Sequence, residues 1–214
     1  MSRTAERGFT IPAPIDSSYC HPTSTQFKIV TQSAFSGGGT YQVQDLGGNL
    51  VLKFVKSSFL SSNQVVHDAN GNPVVILKKK TFSARGKWDA FRGNKKAHEP
   101  GDLLFSMEKA SLIPWKSSFR IQLPGNASDE FTLRYNGWAS HFKLHHNGAV
   151  IAEADMKRKF LSNSQLIVTA KAGVDQAFLA SVLVIYREWQ KSQQAASSGG
   201  AAGGMAAGGG GGTV

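Results

Sequence analysis

The sequence predicts a mainly β protein, a closed antiparallel β-barrel of about 12 strands around a buried C-terminal α-helix. The first observation is the stretch 174–189, VDQAFLASVLVIYREW, in which Ser181 is the one polar residue between positions 177 and 186. A helix that is apolar on every side has to be buried on every side. Crossing a bilayer takes roughly 20 apolar residues, so this stretch is too short for a membrane and has to be enclosed by protein. The second observation is that most of the chain before it reads as short strands between turn signals, so the enclosing material is sheet. The third is hairpin spacing, marked by Asn70-Gly71 and Asn147-Gly148 between apolar runs. A barrel accommodates all three, and closure removes exposed sheet edges.

The elements follow in order. Residues 1–25, rich in Pro and Ser, form an N-terminal arm. QFKIVTQ (26–32) is rich in strand formers, and YQVQ (41–44) alternates. Gly47-Gly48-Asn49 turns that strand into LVLKFV (50–55). Val65 and Val66 lead through Asp68-Ala69-Asn70-Gly71-Asn72 into the strand at 74–77. DLLFSME (102–108), SFRIQL (118–123) and EFTLRY (130–135) continue the pattern, and 141–146, 150–156 and 166–170 complete it. The pattern amounts to some ten to twelve strands before the helix, and the barrel domain spans 26–191. Residues 192–214 are almost wholly Gly, Ala, Ser and Gln. Such a segment buries too little apolar area to offset its ordering entropy, and a disordered tail is expected. The stretches 65–80 and 143–159 resemble each other: strand, Asn-Gly turn, longer strand, basic triplet.

Twenty-four Lys and Arg against fourteen Asp and Glu give a formal charge of +10. The excess predicts attraction to anionic partners: phospholipid headgroups, nucleic acid or acidic proteins. Cys20 is the single cysteine, so no internal disulfide forms. The first residues lack a continuous apolar run of the secretory kind, and an intracellular, cytoplasmic location is expected.

Tyr19-Cys20-His21-Pro22 resembles an aromatic-Cys-x-Pro entry motif, and Asp45-Leu46-Gly47-Gly48-Asn49 and Asp68-Ala69-Asn70-Gly71-Asn72-Pro73 resemble a pair of hairpin turns. Trp88-Asp89-Ala90-Phe91-Arg92-Gly93 resembles a Trp-x-x-Phe-x-Gly segment, and Asp175 to Phe178 resembles an Asp-x-Ala-Phe helix start. In this order the motifs resemble the LURP-one-related family of plants, over about residues 12–190. The resemblance implies the tubby-like C-terminal fold shared with phospholipid scramblases, a twelve-stranded barrel around a central helix. It also implies a role in plant stress or defence, and a basic surface that holds phosphoinositide headgroups.

The sharpest functional feature of the residues themselves is the run 78–96. It holds Lys78, Lys79, Lys80, Arg85, Lys87, Arg92, Lys95 and Lys96, with Asp89 the only acid. Basic residues near an anionic membrane contribute roughly 1 kcal/mol each, and the interleaved Phe82, Trp88 and Phe91 would add apolar contact. The plainer reading is a solvated basic loop with Trp88 and Phe91 in the core. Lys157, Arg158 and Lys159 form a second basic patch, equivalent to Lys78–Lys80 if the internal repeat holds.

These residues lead to a non-catalytic, monomeric protein that binds anionic phospholipid peripherally, at the plasma membrane or partly in the nucleus. Nucleic-acid binding or a transcriptional role uses the same charges and is the first alternative. Scramblase-like activity is the second. No cofactor is expected. His141, His145 and His146 fall in a strand, where their spacing does not converge on a metal, and are read as surface residues. Asp68–Asn72 faintly resembles a calcium loop but lacks its glycine placement and closing Glu, so it reads as a turn. Gly37-Gly38-Gly39-Thr40 lacks the Lys of a phosphate loop and reads as a connection. No nucleophile elbow or paired carboxylates stand out, so no catalysis is expected.

Overall fold

The computed structural model describes residues 11–31, 40–57, 63–93, 100–111, 118–136, 140–159 and 162–199, with the backbone alone at 100, 127–128, 158–159, 162–164 and 198–199. Twelve strands alternate in direction: β1 (Thr25–Thr31), β2 (Tyr41–Asp45), β3 (Leu50–Lys56), β4 (Gln64–Asp68), β5 (Pro73–Lys79) and β6 (Trp88–Arg92) form the first half. The second half is β7 (Leu103–Lys109), β8 (Ser118–Leu123), β9 (Asn126–Tyr135), β10 (His141–His146), β11 (Ala149–Lys159) and β12 (Ser162–Ala170). Each strand pairs with its chain neighbours, and β12 closes on β1 through pairs such as Phe27 with Val168 and Ile29 with Leu166. The result is the closed antiparallel barrel expected, with α1 (Gln176–Gly199) inside it.

Alternation along the strands sends Phe27, Val43, Leu52, Phe54, Val66 and Leu77 inward, all buried. They meet a helix that is buried from Ala177 through Tyr186 on every face. Aromatic edges lock the two layers. Phe178 sits 5.1 Å from both Phe105 and Phe131, and Tyr186 sits 4.9 Å from Phe142 and 5.9 Å from Phe119, all in edge-to-face geometry. Among the described residues no helix is long and apolar enough to cross a membrane.

One carboxylate organises the helix start. Asp175 Oδ1 accepts the Phe178 N–H at 2.9 Å as an N-cap, and Oδ2 accepts the N–H groups of Ile15 and Asp16 at 2.8 and 3.1 Å. Cys20 pairs with Asp175 as an isolated bridge, and the Gly173 N–H donates to the His21 carbonyl at 2.8 Å. The described part of the N-terminal arm is therefore a plug. It packs Ile15 into the core across the barrel mouth where the helix enters. Burial pushes the Asp175 carboxyl above the usual range, against the pull of its backbone donors.

The two Asp-led hairpins share one device. Asp45 accepts the backbone N–H of Asn49 at 2.8 Å and its side-chain amide at 2.7 Å. Asp68 does the same with Asn72 at 2.8 and 2.9 Å. The stretch 68–72 is a turn, as read, and its carboxylate is occupied by its own hairpin. The side-chain amides first, then the backbone donors, hold both carboxyls below the usual carboxylate range.

Three local expectations change. The strand β6 had no place in the alternating pattern, because Trp88, Asp89 and Ala90 are buried in succession. Gly93 ends that strand where a Cβ would lie 2.6 Å from the Val74 backbone carbon, so the close approach of β5 and the chain after β6 requires glycine. The helix runs through Gly199, so residues 192–199 of the expected disordered tail are helical. Extending an already nucleated helix adds a hydrogen bond per residue, and the Gln and Ala of 193–196 are good helix formers. His146 is buried rather than on the surface. It stacks on Phe131 at 4.4 Å and contacts Asp129 at 3.1 Å.

Asp175→Ala removes the cap and leaves two further backbone donors unsatisfied, so it lowers stability by about 3 kcal/mol in urea unfolding, and Asp175→Asn by less. A depressed carboxyl stabilises the fold above its unfolded pKa and loses that contribution as pH falls through the folded value. The melting-temperature gap between wild type and Asp68→Ala, present at neutral pH, therefore shrinks on acidification through the ordinary 3.8 and below.

Candidate functional site

Because the barrel is an up-and-down meander, every odd-numbered strand runs toward one end and every even-numbered strand returns. The helix enters where β12 finishes and leaves at the opposite end, among the loops that follow the odd-numbered strands. Four of those strands, β3, β5, β7 and β11, finish on lysine: Lys56, Lys79, Lys109 and Lys159. Lys80, Arg85 and Lys87 in the β5–β6 loop, Lys157 near the end of β11, and Arg187 and Lys191 on the emerging helix share this exit end. The described carboxylates there are held in pairs. Asp89 faces Lys80 and Lys87, Glu108 faces Arg85, Glu188 faces Lys191, and Asp155 faces His141. The entry end carries Asp16, Asp45, Asp68, Asp102, Asp129 and Asp175 against Arg92 and Lys171. Among the described residues the barrel is thus polarised along its axis, basic where the helix leaves and acidic where it enters.

The β5–β6 loop is held firmly at the exit end. The Lys80 N–H donates to the Lys87 carbonyl at 2.9 Å, the Lys87 side of the loop is capped by Ser83 Oγ at 3.0 Å, and the Lys109 N–H donates to the Arg85 carbonyl at 3.1 Å. Beneath it, buried Asp89 accepts the Ser106 hydroxyl at 2.7 Å and pairs with Lys80 at 3.3 Å and Lys87 at 3.8 Å. A buried carboxylate needs such partners. Gly86 packs on Trp189 of the emerging helix, and Lys109 Nζ lies 5.4 Å over the same indole. Next to them Lys191 bonds Glu188 at 2.9 Å and lies 4.6 Å over Tyr41, whose hydroxyl donates to Glu188 at 2.7 Å. Burial first, then the Glu188 charge, pushes the Tyr41 hydroxyl far above its usual range, so it stays a donor.

At the outer turn of this ordered loop Phe82 is fully exposed, the only large aromatic so placed among the described residues. Its neighbours are Lys79 at the end of β5 and Lys80, Arg85 and Lys87 in the loop. Trp88 lies in the core, as the plainer reading of the aromatics has it, and Phe91 is half-buried on the outer wall beneath Lys78 Nζ, 5.7 Å from its ring.

The linear run 78–96 is not one patch. Lys79, Lys80, Arg85 and Lys87 share the exit end, with Lys78 just below them on the wall. Arg92 lies at the far end of β6, four strand steps or about 14 Å away. There its charge acts on Asp16, whose carboxyl is lowered mainly by Ser18. Lys95 and Lys96 lie outside the described residues. In the strand ring β11 lies opposite β5, so Lys157 is on the far wall but at the same end. The backbone of Arg158 and Lys159 continues toward that end. Sequence reasoning missed Lys56, Lys109, Arg187 and Lys191, which only the alternation of strand direction brings together. The stretch 37–39 lies outside the described residues. No group of three or more His, Cys, Asp or Glu able to hold a metal occurs among the described residues.

The family model described as LURP-one-related matches residues 25–187. The Arabidopsis thaliana protein LURP-one-related 15 is 29% identical over 181 residues, covering 80% of this chain and 82% of that protein. LURP-one-related 10 of the same plant is 26% identical over 185 residues, covering 81% and 94%. An X-ray structure of an Arabidopsis thaliana protein matches with a TM-score of 0.62 at 25% identity, over 82% of this chain and 97% of that one.

Gly86 has φ +61, and a Cβ there would lie 3.1 Å from Trp189 Cδ1. Gly86→Ala is therefore strained in both backbone and packing and destabilises the protein by about 1–2 kcal/mol, measurable by urea unfolding.

Proposed function

The chain belongs to the LURP-one-related family, and we propose that it is a non-catalytic module that docks peripherally on anionic phospholipid membranes through the exit end of its barrel. The observation that carries this reading is Phe82, a fully exposed aromatic on an ordered loop among Lys79, Lys80, Arg85 and Lys87. Burying a Phe side chain is worth about 1.5–3 kcal/mol, and each cation near an anionic surface adds about 1 kcal/mol. One apolar anchor with a basic collar gives reversible binding rather than permanent insertion. The acidic entry end would be repelled by the same surface, which favours a single orientation with the helix exit facing the lipid.

The protein would then act on the cytoplasmic face of the plasma membrane, or in part in the nucleus, in plant stress or defence. Phosphoinositides are the anionic lipids with the highest charge per headgroup and suit the basic end best. The apolar stretch of α1 is already occupied by the barrel, which favours docking over lipid scrambling.

Co-sedimentation with vesicles containing phosphatidylserine tests the reading. Wild type binds in a salt-sensitive manner, and Phe82→Ser weakens binding about tenfold, the equivalent of 1.4 kcal/mol, without lowering thermal stability. Equal vesicle binding by wild type and Phe82→Ser sinks the proposal. Tighter binding to duplex DNA than to vesicles, indifferent to Phe82→Ser, would give the exit end to nucleic acid instead.

A further inference from the structure

The β5–β6 loop, the end of β7 and the emerging helix enclose an open cavity of about 340 Å³. Four cations line it, Lys79, Lys80, Arg85 and Lys109, and no carboxylate is among its described lining residues. Arg85 reaches Glu108 only at 3.5 Å, near the surface, Lys80 is paired with Asp89 beneath the loop at 3.3 Å, and Lys79 has no carboxylate partner among the described residues. A concave lining whose charged residues are all cations focuses positive potential into the cavity.

Thr81 is exposed on this loop and also lines the cavity. It follows Lys78, Lys79 and Lys80 directly and precedes Phe82. Ser83, two residues on, differs: it is half-buried and its Oγ accepts the Lys87 N–H at 3.0 Å, so its hydroxyl is engaged in closing the loop. Thr81 alone of the two is exposed and has its lysines at the three positions immediately before it.

We propose that Thr81 is a phosphorylation site whose phosphate is received by the cavity beside it, and that its modification releases the protein from the membrane. A basic-directed protein kinase would transfer the γ-phosphoryl group of a nucleoside triphosphate. The bond from Thr81 Oγ1 to phosphorus forms as the bridging bond to the departing nucleoside diphosphate breaks, and the hydroxyl proton passes to the kinase's base. The product carries about −1.5 to −2 charges and three acceptor oxygens at pH 7. Lys79, Lys80, Arg85 and Lys109 would bond those oxygens as charge-assisted donors. The same cations supply the collar around Phe82, so neutralising them from within removes the electrostatic part of docking. The release step rests on the membrane reading above; capture of the phosphate by the cavity does not.

The full chain is treated with a basic-directed Ser/Thr kinase and ATP, and the product is mapped by mass spectrometry. Thr81 is the expected acceptor, with modification abolished in Thr81→Ala; modification of Ser83 in its place overturns the assignment. In ³¹P NMR titration the phosphothreonine is expected to lose its second proton well below the ordinary pKa of about 6, and Lys109→Ala is expected to move it back toward that value. An ordinary pKa in the wild-type background shows that the cavity does not receive the phosphate. Vesicles containing phosphatidylserine then test release. Phosphorylated wild type is expected to bind at least tenfold more weakly than unmodified protein, while Thr81→Ala binds normally before and after kinase treatment. Unchanged binding after phosphorylation overturns the switch. Failure of unmodified protein to bind vesicles at all would remove membrane docking, and the switch with it, while the NMR result still decides the phosphate site.

Discussion

Everything in this fold depends on hiding a helix that has no polar face. The run from Ala177 to Tyr186 is buried all round, and α1 alone in water would expose that whole surface. Twelve strands provide a ring wide enough for a helix and its side chains, whose diameter is about 10–12 Å. The helix in turn fills what would otherwise be a lumen. Each part buries the apolar surface of the other, and the contact between them is specific. Aromatic edges from β7, β8, β9 and β10 meet Phe178 and Tyr186. The position of the helix along the axis is set by Asp175, which caps it and ties the N-terminal plug to it with the same carboxylate.

That enclosure also determines where charge falls. A meander of alternating strands has two ends that differ in which residues they gather, whatever their spacing in the sequence. Tight Asp-led turns cluster at the entry end, and lysines that finish odd-numbered strands cluster at the other. The helix adds Arg187 and Lys191 where it emerges. A basic surface is thereby assembled from five separate segments by topology alone, and it is coaxial with the buried helix.

The legibility of the sequence follows the same division. The apolar helix, the hairpin turns and eleven of the strands could be read because each is governed by local chemistry: an apolar run, an Asp-x-x-Gly-Asn turn, a period of two. The strand β6 hid because Asp89 occupies an outward position yet is covered by the loop lysines and Ser106, which breaks the expected alternation. The candidate site was legible only in part. Lys79 to Lys87 are neighbours in both sequence and space, whereas Arg92 is a neighbour in sequence alone. Lys56, Lys109 and Lys191 are neighbours in space alone. A run of basic residues that spans a whole strand is necessarily divided between two ends of a barrel, and nothing in its composition reveals the division.

The site and the core are mechanically one object at the exit end. Trp189 packs edge-on against Phe119 at 5.2 Å, receives Gly86 of the β5–β6 loop, and lies under Lys109. The loop that presents Phe82 is therefore fixed by the last turns of the helix that fills the barrel. A loop ordered in advance loses little conformational freedom when it meets a partner. This explains how a connection of eight residues, 80–87, can hold an aromatic ring fully in solvent instead of folding it back onto the barrel. A floppy loop of the same composition would bury Phe82 against the nearest apolar surface. Keeping it outward takes the bond between Lys80 and Lys87, the Ser83 cap and the seat on Trp189 acting together. The exposed ring is thus a product of the rigid core behind it.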